Sequence, residues 1–282
     1  MDRIALILFT IIGCTLVATV AYAIASVERG TPATYGEKLP VLDAQYDNIT
    51  IQDYSKATDQ NWTTVLNFLE NDSTYKILYS YPNFTCGNFA QKVHDDAEAQ
   101  GIRCGLVAIS FTNVATPGWD VPDGPFGLPF VRTIGTDNAG HAVVVFNTTD
   151  RGPVYVDETN DGVNGSIKIG YLQPGQEYDS LPLSLVDFNR SDCFDYAYYQ
   201  SIEKRYQEFL LEVENYYREL NWYNREVRMY NYYGDATGLS YDSLQSEGKT
   251  LDQEKAYLES CEELHWQMYN PMGYVSQITT YW

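Results

Sequence analysis

The sequence predicts an α+β fold in which a cysteine-bearing helix packs on an antiparallel sheet and a C-terminal α-helical hairpin follows. Three patterns lead to this prediction. A helical pattern begins at Cys86, and strand-like runs rich in β-branched residues come after it. Beyond about residue 194, apolar residues recur at helical spacing. The 282 residues suffice for one good-sized domain with an appendage.

The composition indicates a folded, acidic protein. Hydrophobic residues make up 44% of the chain and aromatic residues 15%, which is enough for a substantial core. The formal net charge is −20. Neutralising phosphates requires clustered Lys and Arg, so this charge argues against nucleic acid as a partner. It equally disfavours binding to an anionic membrane surface.

Residues 1–26 are predicted to be a transmembrane anchor or signal segment. An apolar run extends from Ile4 to Ala25, with Arg3 before it. A bilayer takes about 20 residues to span, whereas the apolar region of a cleavable signal has about 7–15. The small residues around Ala21-Tyr22-Ala23 keep cleavage open as an alternative. We therefore predict a single-pass cell-membrane protein with its domain outside the cytoplasm, or else a secreted one.

Sequons for N-glycosylation agree with export and indicate a surface glycoprotein. Seven are present, beginning at Asn48, Asn61, Asn71, Asn83, Asn147, Asn164 and Asn189. Residues 27–57 are rich in Thr, Pro, Gly and Asp and show little periodicity, so they are predicted to be a stalk.

The elements after the stalk alternate between helix and strand. A first helix is predicted over 58–70, with Thr58 or Asp59 as its cap. A second helix is predicted from Cys86 to Gln100, ended by Gly101. Further predictions are a strand over 106–111 and a long Pro- and Gly-rich loop over 113–138.

Two strands, His141–Phe146 and Val154–Asp157, are predicted to form a β-hairpin. A turn centred on Thr149 would place His141 directly opposite Asp157, because both residues are equally distant from that centre. An imidazole beside a carboxylate is the arrangement that a general base needs, since the acid fixes the tautomer and stabilises the imidazolium.

The C-terminal third is predicted to be a helical hairpin. One long helix is expected over 196–233, stopped by Gly234, and a second from a capping box at Thr250-Leu-Asp-Gln253 to about Tyr269. These elements set the predicted boundaries of a catalytic domain at 58–190 and a helical extension at 191–282.

Cys86 is the candidate nucleophile. It precedes Gly87 and a helical pattern, so it is expected at a helix N-terminus, where orphan N–H groups and the helix dipole stabilise a thiolate. The chain has three histidines. His94 would lie about 12 Å along the same helix, and His265 falls in the C-terminal helical pattern. His141 is therefore the best candidate for the base, and Asp157 for its partner.

Four motifs resemble those of the transglutaminase-like superfamily, most closely its secreted prokaryotic and archaeal members. They are Tyr81-Pro-Asn-Phe-Thr-Cys86-Gly-Asn-Phe-Ala, Val93-His94-Asp-Asp-Ala-Glu98-Ala-Gln-Gly101-Ile-Arg, Gly140-His141-Ala, and Gly152-Pro-Val-Tyr-Val-Asp157-Glu-Thr. The resemblance covers about residues 58–170. It implies a papain-like core, with the cysteine opening a helix and the histidine and aspartate on adjacent antiparallel strands.

The resemblance implies thiol chemistry on protein or peptide amides. Cys86 would form a thioester, as in a cysteine peptidase, an amidase or a transglutaminase-type acyltransferase. The Cys86 N–H would donate to the oxyanion, with Tyr79, Tyr81 or Asn83 as candidates for the second donor. The alternative is a non-catalytic, glycosylated surface or envelope binding module that retains the fold.

The remaining cysteines and polar clusters support no cofactor. Among Cys104, Cys193 and Cys261, a disulfide between Cys193 and Cys261 is the preferred pairing, which leaves Cys86 free. No H-x-x-x-H or C-x-x-C spacing indicates a metal site, and His94 is interpreted as a packed or capping histidine. Calcium at the oxygen-rich segment 157–162 is a weaker alternative, because the full EF-hand pattern is missing.

Overall fold

The structure is a computed structural model that describes the backbone of residues 32–34 and residues 49–112, 140–160, 165–266, 268 and 272–282. The predicted membrane segment, most of the stalk, the predicted loop 113–138 and residues 161–162 of the candidate calcium segment lie outside these residues. Within the described residues, no helix is both long enough and apolar enough to cross a membrane.

The α+β prediction is confirmed: the structure combines helices with a six-stranded antiparallel sheet. The strands are β1 Pro32–Thr34, β2 Gln52–Tyr54, β3 Gly105–Thr112, β4 Gly140–Thr148, β5 Gly152–Asp157, β6 Lys168–Tyr171, β7 Glu177–Pro182 and β8 Gly273–Tyr281. The α-helices are α1 Trp62–Asn71, α2 Cys86–Ala99, α3 Tyr196–Tyr233 and α4 Tyr241–Ser260. Short 3₁₀ helices are Thr74–Lys76, Leu183–Leu185, Gly234–Thr237 and Glu262–His265. β3 to β8 form the sheet in chain order, and β1 and β2 pair separately.

The chain divides into two compact units. Among the described residues, the first takes in those up to 111, those from 140 to 170 and residues 275–282. The second takes in Thr112 and the described residues between 171 and 274. The three residues predicted to be catalytic all belong to the first unit.

Helix α1 begins later than the predicted 58–70. The side chain of Asn61 caps it, because its Oδ1 accepts the N–H of Thr64 at 2.9 Å. Thr58, one of the two predicted caps, instead accepts the N–H of Arg103 through its backbone oxygen at 3.0 Å. A side-chain acceptor closer to the apolar stripe therefore sets the start of the helix.

Helix α2 begins at Cys86, as predicted. The N–H of Thr85, the residue before it, donates to the side chain of Asn88 at 2.9 Å, which satisfies a group that the helix itself cannot pair. Its buried face, with Phe89 and Val93, packs on β4. Gly101 follows the C-cap with a φ of 81°, the left-handed conformation predicted for it.

The β4–β5 hairpin forms, but the predicted register is wrong by two residues. Thr148 pairs with Gly152, and Val144 pairs with Val156, so the turn centres on Asp150 and not on Thr149. Two features favour this centre. Gly152 adopts a φ of 73°, and the hydroxyl of Thr148 donates to the Gly152 oxygen at 2.8 Å. A shift of two residues keeps every side chain on its face of the sheet.

The second unit contains the helical hairpin. Helix α3 has the predicted bounds, and Gly234 follows it with a φ of 60°. Helix α4 begins well before the predicted Thr250, because Ser240 caps it by accepting the N–H of Ser243 at 3.1 Å. It ends at Ser260 and not near Tyr269. The two helices share a cluster of buried residues, Phe209, Val213, Tyr216, Leu251 and Leu258.

The strand β8 was not predicted, since residues up to 282 were assigned to the helical extension. Its residues, Gly273–Tyr281, are mostly β-branched, aromatic or hydroxyl-bearing, a composition that favours a strand. Within the second unit, β8 starts by pairing with β7, where Tyr178 lies opposite Gly273.

The preferred disulfide does not form: among the described residues, the sulfurs of Cys193 and Cys261 are not bonded to each other. Cys193 is buried, and its backbone oxygen accepts the hydroxyl of Tyr171 at 2.7 Å. The sulfur of Cys261 turns back on its own helix and donates to the Tyr257 oxygen at 3.4 Å. Cys86 is free, as predicted.

Candidate active site

The structure brings Cys86, His141 and Asp157 together in one chain of hydrogen bonds. Cys86 is the first residue of α2, and its side chain hydrogen-bonds to that of His141 on β4. The Nε2 atom of His141 lies 2.8 Å from Oδ2 of Asp157, the last residue of β5. His141 and Asp157 are buried, whereas Cys86 is partly exposed. A helix end and two adjacent strands therefore position the three side chains.

The observed register explains the contact between His141 and Asp157. In the observed pairing the two residues are diagonal neighbours on one face of the sheet and do not lie directly opposite each other. Such diagonal positions remain within reach of long or aromatic side chains. Because Asp157 engages Nε2, the ring nitrogen left for the thiol is Nδ1. A base beside Cys86 requires the tautomer that carries its proton on Nε2 and a lone pair on Nδ1.

The electrostatics of the site favour a thiolate on Cys86. Burial raises the pKa of Cys86, but the hydrogen bond and charge of His141 and the donating N–H of Ala142 outweigh this effect and lower the pKa below its ordinary value. Burial lowers the pKa of His141, and the charge and hydrogen bond of Asp157 raise it above its ordinary value. Opposite shifts in neighbouring groups are the conditions for a thiolate–imidazolium pair.

Lys168 is a further residue at the site that the sequence interpretation missed. It opens β6 directly opposite Asp157 in the strand pairing. Its Nζ lies 4.0 Å from Oδ2 of Asp157 and donates to the Thr159 oxygen at 2.6 Å. Lys168 is buried, which is rare for a lysine without an acidic neighbour. The sequence feature that could have indicated a role for Lys168 is its position as a lone lysine between Ile167 and Ile169 in a strand-like run.

Lys168 helps to keep Asp157 ionised. Burial raises the pKa of Asp157, but the charges of Lys168 and then of His141, together with the hydrogen bonds from His141 and from the Thr159 N–H, hold it well below its usual range. A carboxylate with so low a pKa stays charged throughout the physiological range. Asp157 can therefore stabilise the imidazolium form of His141.

We expect Lys168→Met to destabilise the protein by about 3–5 kcal/mol, the usual cost of removing one partner of a buried ion pair. Urea unfolding at neutral pH measures this loss. On acidification, the variant should also begin to lose stability at a higher pH than the parent protein does. A depressed carboxyl pKa contributes stability above its unfolded value of about 3.9, lost as the pH falls through the folded value. Without Lys168, that folded value moves up.

A matched control for this variant is Lys255→Met on α4. Lys255 is half-exposed and lies 3.6 Å from Glu259 in a surface pair. Such pairs contribute at most about 1 kcal/mol. Equal unfolding free energies for the two variants would contradict a role for Lys168 as a charge partner of Asp157.

The residues after Asp157 hold the loop that approaches Cys86. Oε2 of Glu158 accepts the N–H of Tyr75 at 3.0 Å, and the amide of Asn160 donates to the Tyr75 oxygen at 2.9 Å. The Asn160 oxygen accepts the N–H of Tyr79 at 2.7 Å. Burial and the nearby carboxylate of Asp72 raise the pKa of Glu158 to about 9, so Glu158 is a neutral acid at pH 7.

Of the three candidates for the second oxyanion donor, Tyr79 has a hydroxyl that interacts electrostatically with Cys86. Burial and the charge of Cys86 raise the pKa of its hydroxyl, and the side chain is 41% exposed. Tyr81 is 65% exposed. Asn83 is also exposed, and its backbone N–H donates to the Ser80 oxygen at 2.6 Å. The electrostatic interaction with Cys86 makes Tyr79 the candidate for the proposed reaction.

Comparisons with known proteins add nothing to this geometry. The chain matches no protein-family model, no curated protein and no solved structure.

Proposed function

We propose that this protein is a thiol enzyme of the transglutaminase-like kind that acts on peptide or protein amides outside the cytoplasm. The hydrogen-bonded chain from Cys86 through His141 to Asp157 is the observation that carries the proposal. A nucleophile beside a base, with the base oriented by a third group, is the arrangement that defines such enzymes on unrelated folds. Membership of the superfamily and a membrane tether are parts of the same proposal.

In the first half of the reaction, the Cys86 thiolate attacks the carbonyl carbon of the amide and forms a C–S bond. The carbonyl oxygen becomes an oxyanion, which the N–H at the start of α2 and the Tyr79 hydroxyl would stabilise. The imidazolium of His141 then gives its Nδ1 proton to the nitrogen of the amide. The C–N bond breaks, the amine leaves, and a thioester on Cys86 remains.

In the second half, a water molecule or a primary amine attacks the thioester. Neutral His141 takes a proton from the attacking group through Nδ1, and the C–S bond breaks to restore the thiolate. Water yields a carboxylic acid and an amine yields a new amide. Asp157 remains ionised throughout and stabilises the imidazolium whenever it forms.

The proposal predicts that Cys86 reacts as a thiolate at acidic pH. With iodoacetamide at pH 6, we expect Cys86 of the folded protein to react about ten-fold or more faster than in urea, where its pKa returns to about 8.5. Because the folded pKa is lowered, the rate should fall only when the pH drops through that lower value. Mass spectrometry of the Cys261→Ser variant measures the labelling at Cys86; this variant lacks the other half-buried thiol of the described residues.

Two controls sharpen this test. Cys104 is fully buried and its pKa is raised well above the ordinary value, so it should remain unmodified in the folded protein. His141→Ala should remove the excess reactivity of Cys86, since the imidazolium is the main group that lowers the pKa of the thiol. Folded Cys86 that reacts no faster than in urea would contradict the enzyme and favour a non-catalytic surface module.

A further inference from the structure

A second cluster of polar side chains lies away from the thiol, where β2 packs on α2 in the first unit. Asp53 of β2 and His94 and Glu98 of α2 offer ligand atoms that all lie within 4.8 Å of one another. His94 and Glu98 are separated by four residues, so a helix places them on one face. The proposed reaction uses none of these three residues.

His94 has a nitrogen that the protein leaves without a hydrogen bond. The residue is 0% exposed, and within the described residues its Nε2 has no hydrogen-bond partner. Oδ1 of Asp53 lies 3.4 Å away, within ion-pair distance when His94 is protonated, and also has no hydrogen-bond partner there. This distance exceeds the 2.7–3.2 Å of an N–H···O bond. Buried polar atoms are nearly always paired. These two facing atoms are satisfied either by a proton on His94, which makes them an ion pair, or by a metal ion between them.

The surrounding hydrogen bonds orient all three side chains. Nδ1 of His94 lies 3.0 Å from Oδ1 of Asp95, which favours a proton on Nδ1 and a lone pair on Nε2. Glu98 is held by two backbone N–H groups: Tyr54 donates to Oε2 at 2.9 Å, and Cys104 donates to Oε1 at 2.9 Å. A carboxylate behind the histidine and hydrogen bonds to the acidic ligand are the usual outer contacts of a protein metal site.

We propose that Asp53, His94 and Glu98 bind a divalent transition-metal ion, with Zn²⁺ as the best match. One imidazole and two carboxylates are a donor set that zinc accepts, while the imidazole makes Mg²⁺ and Ca²⁺ poor candidates. The Asp53 side chain is 25% exposed, so an ion has a route from solvent and water can complete its coordination. The ion would join β2 to the helix that begins with Cys86.

The competing state of the same residues is a protonated His94 between two carboxylates. Burial lowers the pKa of His94, but the carboxylates of Asp53, Asp95 and Glu98 raise it to about 9. A metal ion must displace this proton, so the affinity for zinc should weaken as the pH falls. A metal site therefore predicts that added zinc binds, whereas a permanently protonated His94 predicts that it does not.

The test uses the full-length chain in detergent, with Cys86→Ser to remove zinc binding by the thiol site. After treatment with a chelator, we expect one equivalent of Zn²⁺ to bind in calorimetry at pH 7.5. The melting temperature should rise by about 5–10 °C at a free Zn²⁺ concentration of one hundred times Kd. Co²⁺ in place of Zn²⁺ should produce visible absorption that reports coordination directly.

Single substitutions in the same background identify the ligands. His94→Gln and Asp53→Asn should each weaken zinc binding by about 100-fold or more, and Asp95→Asn by about 10–100-fold through its contact with the histidine. The matched control is Asp96→Asn. Asp96 lies on the same helix but pairs with Lys92, so this variant should bind zinc like the parent.

Two results would overturn the zinc site. One is a Cys86→Ser protein that binds no zinc, which leaves His94 as a protonated structural residue. The other is equal zinc affinity in Asp53→Asn and Asp96→Asn, which moves the binding elsewhere. Asp53 is partly exposed on a short strand, so its variant decides the matter even if His94→Gln does not fold. None of these readouts depends on enzyme activity, so they stand apart from the proposed reaction.

Discussion

Replacing Cys86 by Ala is expected to abolish amide hydrolysis and acyl transfer, with a fall in kcat of about 10⁴-fold or more. The sulfur is the atom that forms the thioester, and a methyl group cannot replace it. Release of a fluorogenic amine from a panel of peptide amides measures hydrolysis. Incorporation of a fluorescent primary amine into a glutamine-containing peptide measures transfer.

His141→Ala should cost nearly as much as Cys86→Ala, and the double variant should cost little more than either single one. Groups that act as one unit show this failure of additivity. The matched control is Cys261→Ala, which removes a half-buried thiol of the second unit and should leave kcat unchanged. Activity that survives in Cys86→Ala would contradict the proposed nucleophile. Separate, additive losses at Cys86 and His141 would contradict their action as a pair.

The start of the Cys86 helix could be predicted from sequence because its signals are local. The helical pattern that follows Cys86-Gly87 marks the start of the helix, and Gly101, just beyond the last turn, marks its end. Cys86 and Gly101 therefore have the predicted positions. The start of α1 was less predictable. Asn61, Thr58 and Asp59 are all good caps, and the tertiary contact of Thr58 with Arg103 decides among them.

The contact between His141 and Asp157 could be predicted, but not the register behind it. A one-residue slip would have turned the two side chains to opposite faces, whereas the two-residue difference preserved their common face. The turn centre depends on Gly152 and on a side-chain hydrogen bond from Thr148. Neither contact can be read from the apolar alternation of the strands.

Lys168 and the loop before Cys86 show what a one-dimensional pattern cannot supply. Lys168 lies opposite Asp157 only because β6 pairs with β5 in a particular register. The loop is held at Tyr79 because the Asn160 oxygen accepts the Tyr79 N–H. The Asp53–His94–Glu98 cluster has the same origin, since a short strand far earlier in the chain completes it. Residues that cooperate across distant segments need the fold to reveal them.

Asp157→Asn should keep the fold and lower kcat by about 10³–10⁴-fold. The carboxylate of Asp157 accepts a hydrogen bond from the protonated Nε2 of His141, which leaves Nδ1 unprotonated for the thiol. An asparagine amide can donate to Nε2 instead, and it then favours the tautomer with its proton on Nδ1. In that tautomer His141 cannot accept a proton from Cys86. Because the amide is neutral, the substitution also removes the negative charge that stabilises the imidazolium.

Lys168 makes this prediction separable from a loss of stability. In Asp157→Asn the buried Lys168 loses the carboxylate that lies 4.0 Å away, so the folded variant should also be less stable than the parent. The double variant Asp157→Asn/Lys168→Met removes both charges, and its unfolding free energy should recover towards the parent value. If Asp157 orients the base, kcat of the double variant should stay low despite the recovered stability. Activity that returns together with stability would instead make Asp157 a structural partner of Lys168.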